Sequence, residues 1–134
     1  MRMSVAGLLR RYETEQVTNR IDLDAAAAQI ASRRTEWRRR GIFAGETTWR
    51  DQAEGWPPVL KIDRRAVVDA DSIGVSLSKG TQEGSVVLFA GGWADLRFWD
   101  GCSNQAVDEA PGWEDWLDQE RFGQLLDRLT GYFT

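Results

Sequence analysis

The chain reads as an α+β domain: an antiparallel sheet of three to five strands, with N-terminal helices before it and a C-terminal helix after it, packed on one sheet face. Three observations predict this. Apolar residues recur at helical spacing near both ends of the chain. The middle alternates apolar and polar residues with a period of two. Glycine-bounded polar stretches interrupt that middle at hairpin lengths. A length of 134 residues suits one domain with a real core, so residues 1–134 are taken as a single domain. Residues 1–20 are read as its helical N-terminal extension.

The elements follow in order. Val5, Leu8, Leu9 and Tyr12 fall at helical spacing, which predicts a short helix over 4–17, with a break at Asn19-Arg20. Asp22 is a natural N-cap for a second, alanine-rich helix running to Arg40. Leu23, Ala27, Ile30 and Trp37 are its apolar stripe. Arg38, Arg39 and Arg40 place positive charge in its last turn, and Gly41 suits C′. That arginine cluster reads as a helix end rather than a nucleic-acid site, since no aromatic residue is interleaved with it. Residues 42–49 carry a moderate strand signal, 55–58 a proline-stiffened loop, and 59–63 a weak strand signal.

Ile73, Val75 and Leu77 alternate inward along a strand over 72–78, and residues 79–84 form a polar hairpin loop. Residues 85–99 are a second hairpin. Gly91-Gly92 can supply the positive φ values of a two-residue turn, which makes Ala90 face Trp93. Side chains alternate across a strand, so Ala94, Leu96 and Phe98 then share the core face with Val87 and Phe89. Trp93, Asp95, Arg97 and Trp99 share the other face, and two large aromatics with one acid and one base have the composition of a recognition surface; for Trp93 and Trp99, burial under an N-terminal helix is the equal alternative to partner contact. Residues 100–104 are a turn cluster. Asp118 caps a final helix whose buried stripe is Phe122, Leu125, Leu126, Leu129 and Phe133. Trp37 and Trp49 read as core, and Trp113 and Trp116 as aligned by a helical turn that anchors their segment.

Absences narrow the chemistry. The chain has no histidine, which removes histidine-based catalysis and His-ligated zinc, and one cysteine, Cys102, which cannot build a zinc site or an internal disulfide. It has no Walker-type or dinucleotide-type glycine loop. No cofactor, metal or catalytic residue is expected, and the protein is read as a binding protein, not an enzyme. No apolar run approaches the roughly 20 residues of a membrane span, and the residues from Met1 to Arg11 are too short and charged for a secretory apolar core, so a cytoplasmic protein is expected.

Charge is uneven. Residues 1–65 hold 13 bases and 9 acids, whereas residues 66–134 hold 4 bases and 12 acids. Asp108, Glu109, Glu114, Asp115, Asp118 and Glu120 follow one another with no base between them. Either this is a solvated surface, or it draws a basic partner at long range. Nucleic acid would be repelled.

The run Val75-Ser-Leu-Ser, the apolar strand Val86-Val-Leu-Phe, the Gly91-Gly92 turn, Trp93-Ala-Asp-Leu-Arg-Phe-Trp-Asp100 and a leucine-rich terminal helix together resemble small bacterial immunity proteins of polymorphic toxin systems. The pattern is nearest to the TriTu-type immunity family, in which a strand of the form small-Asp-Leu-x-aliphatic follows a glycine turn; Ala94-Asp95-Leu96-Arg97-Phe98 has that form. The likeness covers about residues 72–133. It implies a bacterial protein that binds and neutralises a cognate secreted toxin domain.

The contact set expected for that role is Trp93, Asp95, Arg97 and Trp99, with Asp108, Glu109, Glu114, Asp115 and Asp118 supplying negative field toward a basic toxin surface. A monomer is expected. A secretion chaperone for an effector and a small carboxylate-based enzyme are the alternatives. The chaperone differs in being a dimer with apolar grooves, the enzyme in needing two acids that converge in a cleft.

Overall fold

The computed structural model describes residues 20–57 and 59–134. The helix expected over 4–17 lies outside the described residues. The α+β class and the single helical layer on an antiparallel sheet both stand. Helix α1 spans Leu23–Ser32, α2 spans Arg34–Arg39 and α3 spans Gln119–Tyr132. The strands are β1 (Phe43–Ala44), β2 (Thr48–Asp51), β3 (Ala70–Lys79), β4 (Gln82–Phe89), β5 (Trp93–Asp100) and β6 (Gln105–Glu109). They form one sheet in the order β1-β3-β4-β5-β6, with β2 also paired to β3. The short β1 and β2 thus share one edge of β3, and the sheet is five strands across. No helix among the described residues is long and apolar enough to cross a membrane.

The first helical stretch begins where expected. The Asp22 carboxylate accepts from the amides of Asp24 and Ala25, satisfying donors that have no partner within the helix. It does not run unbroken to Arg40. At Arg33 the backbone N–H donates to the Ile30 carbonyl, three residues back instead of four. The Arg33 guanidinium donates to the carbonyls of Gln29 and Gly123 and to Asp127, tying the break to α3. The kink carries Trp37 into the core, where its indole N–H donates to Thr130 Oγ1 at 2.8 Å. No proline or glycine marks this break, so the pattern of residues gave no sign of it. Gly41 ends α2 with φ of +76°, as a C′ residue should.

The expected strand over 42–49 divides into β1 and β2, and the weak signal over 59–63 amounts to a single bridge between Lys61 and Trp49. The loop expected over 79–84 is much tighter. Lys79 pairs with Gln82 across Gly80-Thr81, so β4 starts three residues earlier than the glycine-bounded stretch suggests. Residues 105–109, where no strand was expected and where the acidic run begins at Asp108, form β6 against β5.

The β4–β5 hairpin corrects the expected register. Phe89, not Ala90, faces Trp93, so the loop has three residues, Ala90-Gly91-Gly92. Only Gly92 takes a positive φ, +93°, and its amide donates to the Phe89 carbonyl at 2.9 Å. That fits a three-residue hairpin with a left-handed last position. The Ala90 amide donates to the Asp71 carbonyl of β3 at 2.9 Å, and its carbonyl accepts from the Arg20 and Ile21 amides. One added loop residue inverts β4 relative to the expectation. Val86 and Leu88 enter the core; Val87 and Phe89 lie on the opposite face with Trp93, Asp95, Arg97 and Trp99.

The core lies between the helices and one face of the sheet. Ile73, Val75, Leu77, Val86, Leu88, Ala94, Leu96 and Phe98 pack from the sheet side. Ile30, Trp37, Phe122, Leu125, Leu126, Leu129 and Phe133 pack from the helices. The α3 N-cap is Asp118, whose Oδ1 accepts from the Arg121 amide at 2.8 Å. Trp37 and Trp49 are buried, as expected.

Candidate protein-binding face

The sheet has a second face that no described helix covers. Its side chains fall in rows set by the strand register. At the hairpin end are Arg50, Ser72, Phe89 and Trp93. Next come Thr48, Gly74, Val87 and Asp95, then Ser76, Ser85, Arg97 and Asp108. The far row is Phe43, Ser78, Glu83, Trp99 and Ala106.

The two ends of this face differ. At the hairpin end the aromatic rings are engaged with one another. Phe89 stacks on Trp93 with centroids 4.1 Å apart, and Trp93 meets Trp113 edge-on at 5.1 Å. Arg50 forms a two-point pair with Asp71, at 2.7 and 2.8 Å. The far end is open. Phe43 is 71% exposed and Trp99 44% exposed, and they stand on either side of a shallow groove of about 680 Å³. Ser76, Ser78, Ser85 and Glu83 line it between them.

Trp99 is held in place by the turn that follows it. Asp100 accepts from the amides of Cys102 and Ser103 and from Gln82 and Thr81 side chains, and the Cys102 amide, first among these, holds its carboxyl below the usual value. The indole lies over Gly101: a Cβ there would stand 2.7 Å from the ring.

The nine residues expected to contact a partner are not brought together. Trp93, Asp95, Arg97 and Trp99 do share one face, and Asp108 joins them beside Arg97, at 3.7 Å. Glu109 pairs instead with Arg128 of α3, at 2.9 Å. Asp115 pairs with Arg121 at 3.1 Å, and Asp118 is occupied as a helix cap. Glu114 is exposed in the loop before α3. That loop is a series of turns rather than the helical turn expected to align Trp113 and Trp116. Its buried anchor is Leu117, whose amide donates to the Gly92 carbonyl at 2.7 Å, while Trp116 packs beneath the Arg20 guanidinium.

Two features went unread in the sequence. Phe43 and Glu83 belong to the open row, and since Ile42 and Phe43 are both large and apolar the sequence alone does not show that the first is buried and the second exposed. The second feature is a long excursion from β2 to β3 that exposes Trp56, Val59, Leu60, Ile62 and Val68. Both its ends are gathered on Asp51, which is almost wholly buried. The Asp51 carboxylate accepts from the amides of Val68, Asp69 and Ala53 at 2.8–3.0 Å and lies 3.4 Å from Lys61 Nζ. The Val68 amide leads these contacts in lowering the carboxyl from 3.8 to about 2, against the opposing effect of burial.

A pH dependence follows. The folded-state value is depressed, so the stability that Asp51 contributes is complete above its unfolded value, near 3.8, and is lost as pH falls toward about 2. The variant Asp51→Asn should be less stable at neutral pH and should show a shallower fall in stability across that acid range. Urea unfolding at a series of pH values measures this; parallel acid profiles for the two proteins would contradict it.

Among the described residues, no group of three or more His, Cys, Asp or Glu side chains could hold a metal ion. Comparison with known proteins finds no matching family model, no matching curated protein and no matching solved structure.

Proposed function

We propose that this protein is an immunity protein, which binds a cognate secreted bacterial toxin domain and neutralises it by occlusion. The observation that carries this reading is the sheet face that no described helix covers. Exposed Phe43 and Trp99 flank polar and charged side chains there, on a rigid antiparallel scaffold. Large exposed aromatics around a polar groove suit protein recognition. The likeness of the β4–β5–α3 sequence to the TriTu-type pattern points the same way. The exposed apolar residues Trp56, Val59, Leu60 and Ile62 favour one second reading, a secretion chaperone holding an unfolded effector segment. A dimer in solution would support the chaperone, and a monomer the inhibitor.

The test is co-expression with the toxin domain encoded beside it. Growth rescue and nanomolar binding, about −12 kcal/mol, are expected. Failure to bind or rescue against any toxin so encoded removes the proposal. With that complex in hand, neutralising Asp108, Glu109, Glu114 and Asp115 together to Asn or Gln should slow association and flatten its salt dependence more than it alters dissociation. Unchanged rates and salt slopes would make the acidic run a solubilising surface only.

A further inference from the structure

We infer that the groove between Phe43 and Trp99 is a receptor for one arginine side chain of the protein partner, with Glu83 as the residue that selects it. This rests on the reading of the open face as a protein-binding surface. Four residues of one sheet row make the site. Phe43, Ser78, Glu83 and Trp99 follow one another across β1, β3, β4 and β5. Adjacent strands are about 4.8 Å apart, so the two aromatic walls stand roughly 14 Å apart at their Cα atoms. Ser78 and Glu83 lie between them, with Ser76 and Ser85 alongside. These short side chains keep the floor low.

Glu83 is exposed and makes no ion pair or side-chain hydrogen bond among the described residues. Arg97 and Asp108 also line the groove, and there the Arg97 guanidinium lies 3.7 Å from Asp108, so the pair leaves Glu83 as the unmatched charge. Asp95, two rows away, is likewise without an ion-pair partner, so the face keeps a negative bias once Arg97–Asp108 and Arg50–Asp71 are set against each other. An unpaired carboxylate beside an indole matches a guanidinium in particular. Its plane stacks on the ring while its N–H fork meets both carboxylate oxygens. A lysine ammonium satisfies the charge but not the stacking. An aliphatic side chain would cover the apolar part of the groove but leave the Glu83 carboxylate without a partner.

The experiment uses the free protein, labelled with ¹⁵N, and N-acetyl-argininamide as the probe. Saturable shifts are expected at the Trp99 indole N–H and at the amides of Ser78, Glu83 and Ser85. The variant Glu83→Gln should weaken binding at least about tenfold, the loss of a charge-assisted pair. Glu120→Gln, an equal change of net charge on α3, should leave it unaltered. Shifts that fail to saturate, that persist in Glu83→Gln, or that are matched by N-acetyl-norleucinamide or N-acetyl-lysinamide would each overturn the arginine site. No toxin enters this measurement, so its failure leaves the immunity reading to be judged by complex formation, and failure of complex formation leaves the arginine site to be judged here.

Discussion

Replacing Trp37 with Ala is expected to cost about 3–5 kcal/mol of stability, the largest single effect among the buried residues considered. The side chain is 1% exposed, reaches the core through the kink at Arg33, and bridges α2 to α3. Domains of this size have only about 5–15 kcal/mol in hand, so the variant should lie near the limit of folding at physiological temperature. The hydrogen bond is a small part of the effect. Thr130 Oγ1 accepts from the indole and donates to the Leu126 carbonyl. Trp37→Phe keeps most of the ring and leaves that oxygen without its donor, at about 1 kcal/mol. Urea unfolding measures both variants, and the phenylalanine variant, which keeps that part of the ring, should lose less. A loss below about 1 kcal/mol for the alanine variant would mean that the helices close over the vacated space.

Trp99→Ala should behave in the opposite way. Partner affinity should fall by roughly 2 kcal/mol or more, about thirtyfold, while stability changes by about 0.5 kcal/mol or less. The indole is half out in solvent, over a glycine, and is not among the rings stacked at the hairpin end. Trp93→Ala should lower both quantities, because Trp93 stacks on Phe89 and abuts Trp113. Isothermal titration with the proposed toxin partner and thermal unfolding of each variant distinguish the two tryptophans. If Trp99→Ala unfolds easily and the folded fraction binds as before, Trp99 is a structural residue and the open face is not the contact.

Much of this architecture was legible from local patterns. Asp22 and Asp118 announce their helices because an acceptor before an apolar stripe has one obvious use. The stripe from Phe122 to Phe133 is buried as its spacing demands. What escaped notice depends on contacts between distant residues. The kink at Arg33 is set by Asp127 and Gly123, about ninety positions on. The β6 strand has only Ala106 and Val107 as apolar residues beside two acids, too short a signal to read, and gains its place from the β5 ladder. The acidic run looked like one feature along the chain. In space it divides, since Glu109 turns to α3, Asp108 to Arg97 and Asp118 to its own helix. Glu83 was hidden by its glycine neighbours, which suggested a loop where a two-residue turn suffices.

The three-residue loop at Ala90-Gly91-Gly92 has a genetic consequence. The parity of that loop decides which side of the sheet β5 presents relative to β4. Losing one codon there would ask Trp93, Asp95, Arg97 and Trp99 to change places with Ala94, Leu96 and Phe98, and neither set can occupy the other's site. Substitutions on the open face alter what the surface says, one residue at a time, with the fold left intact. A change of length at the hairpin has no such gradation. Lineages carrying this domain should therefore diversify the exposed rows freely while the spacing between Phe89 and Trp93 stays fixed, and an alignment of divergent copies would show the exposed face as the variable half of each strand.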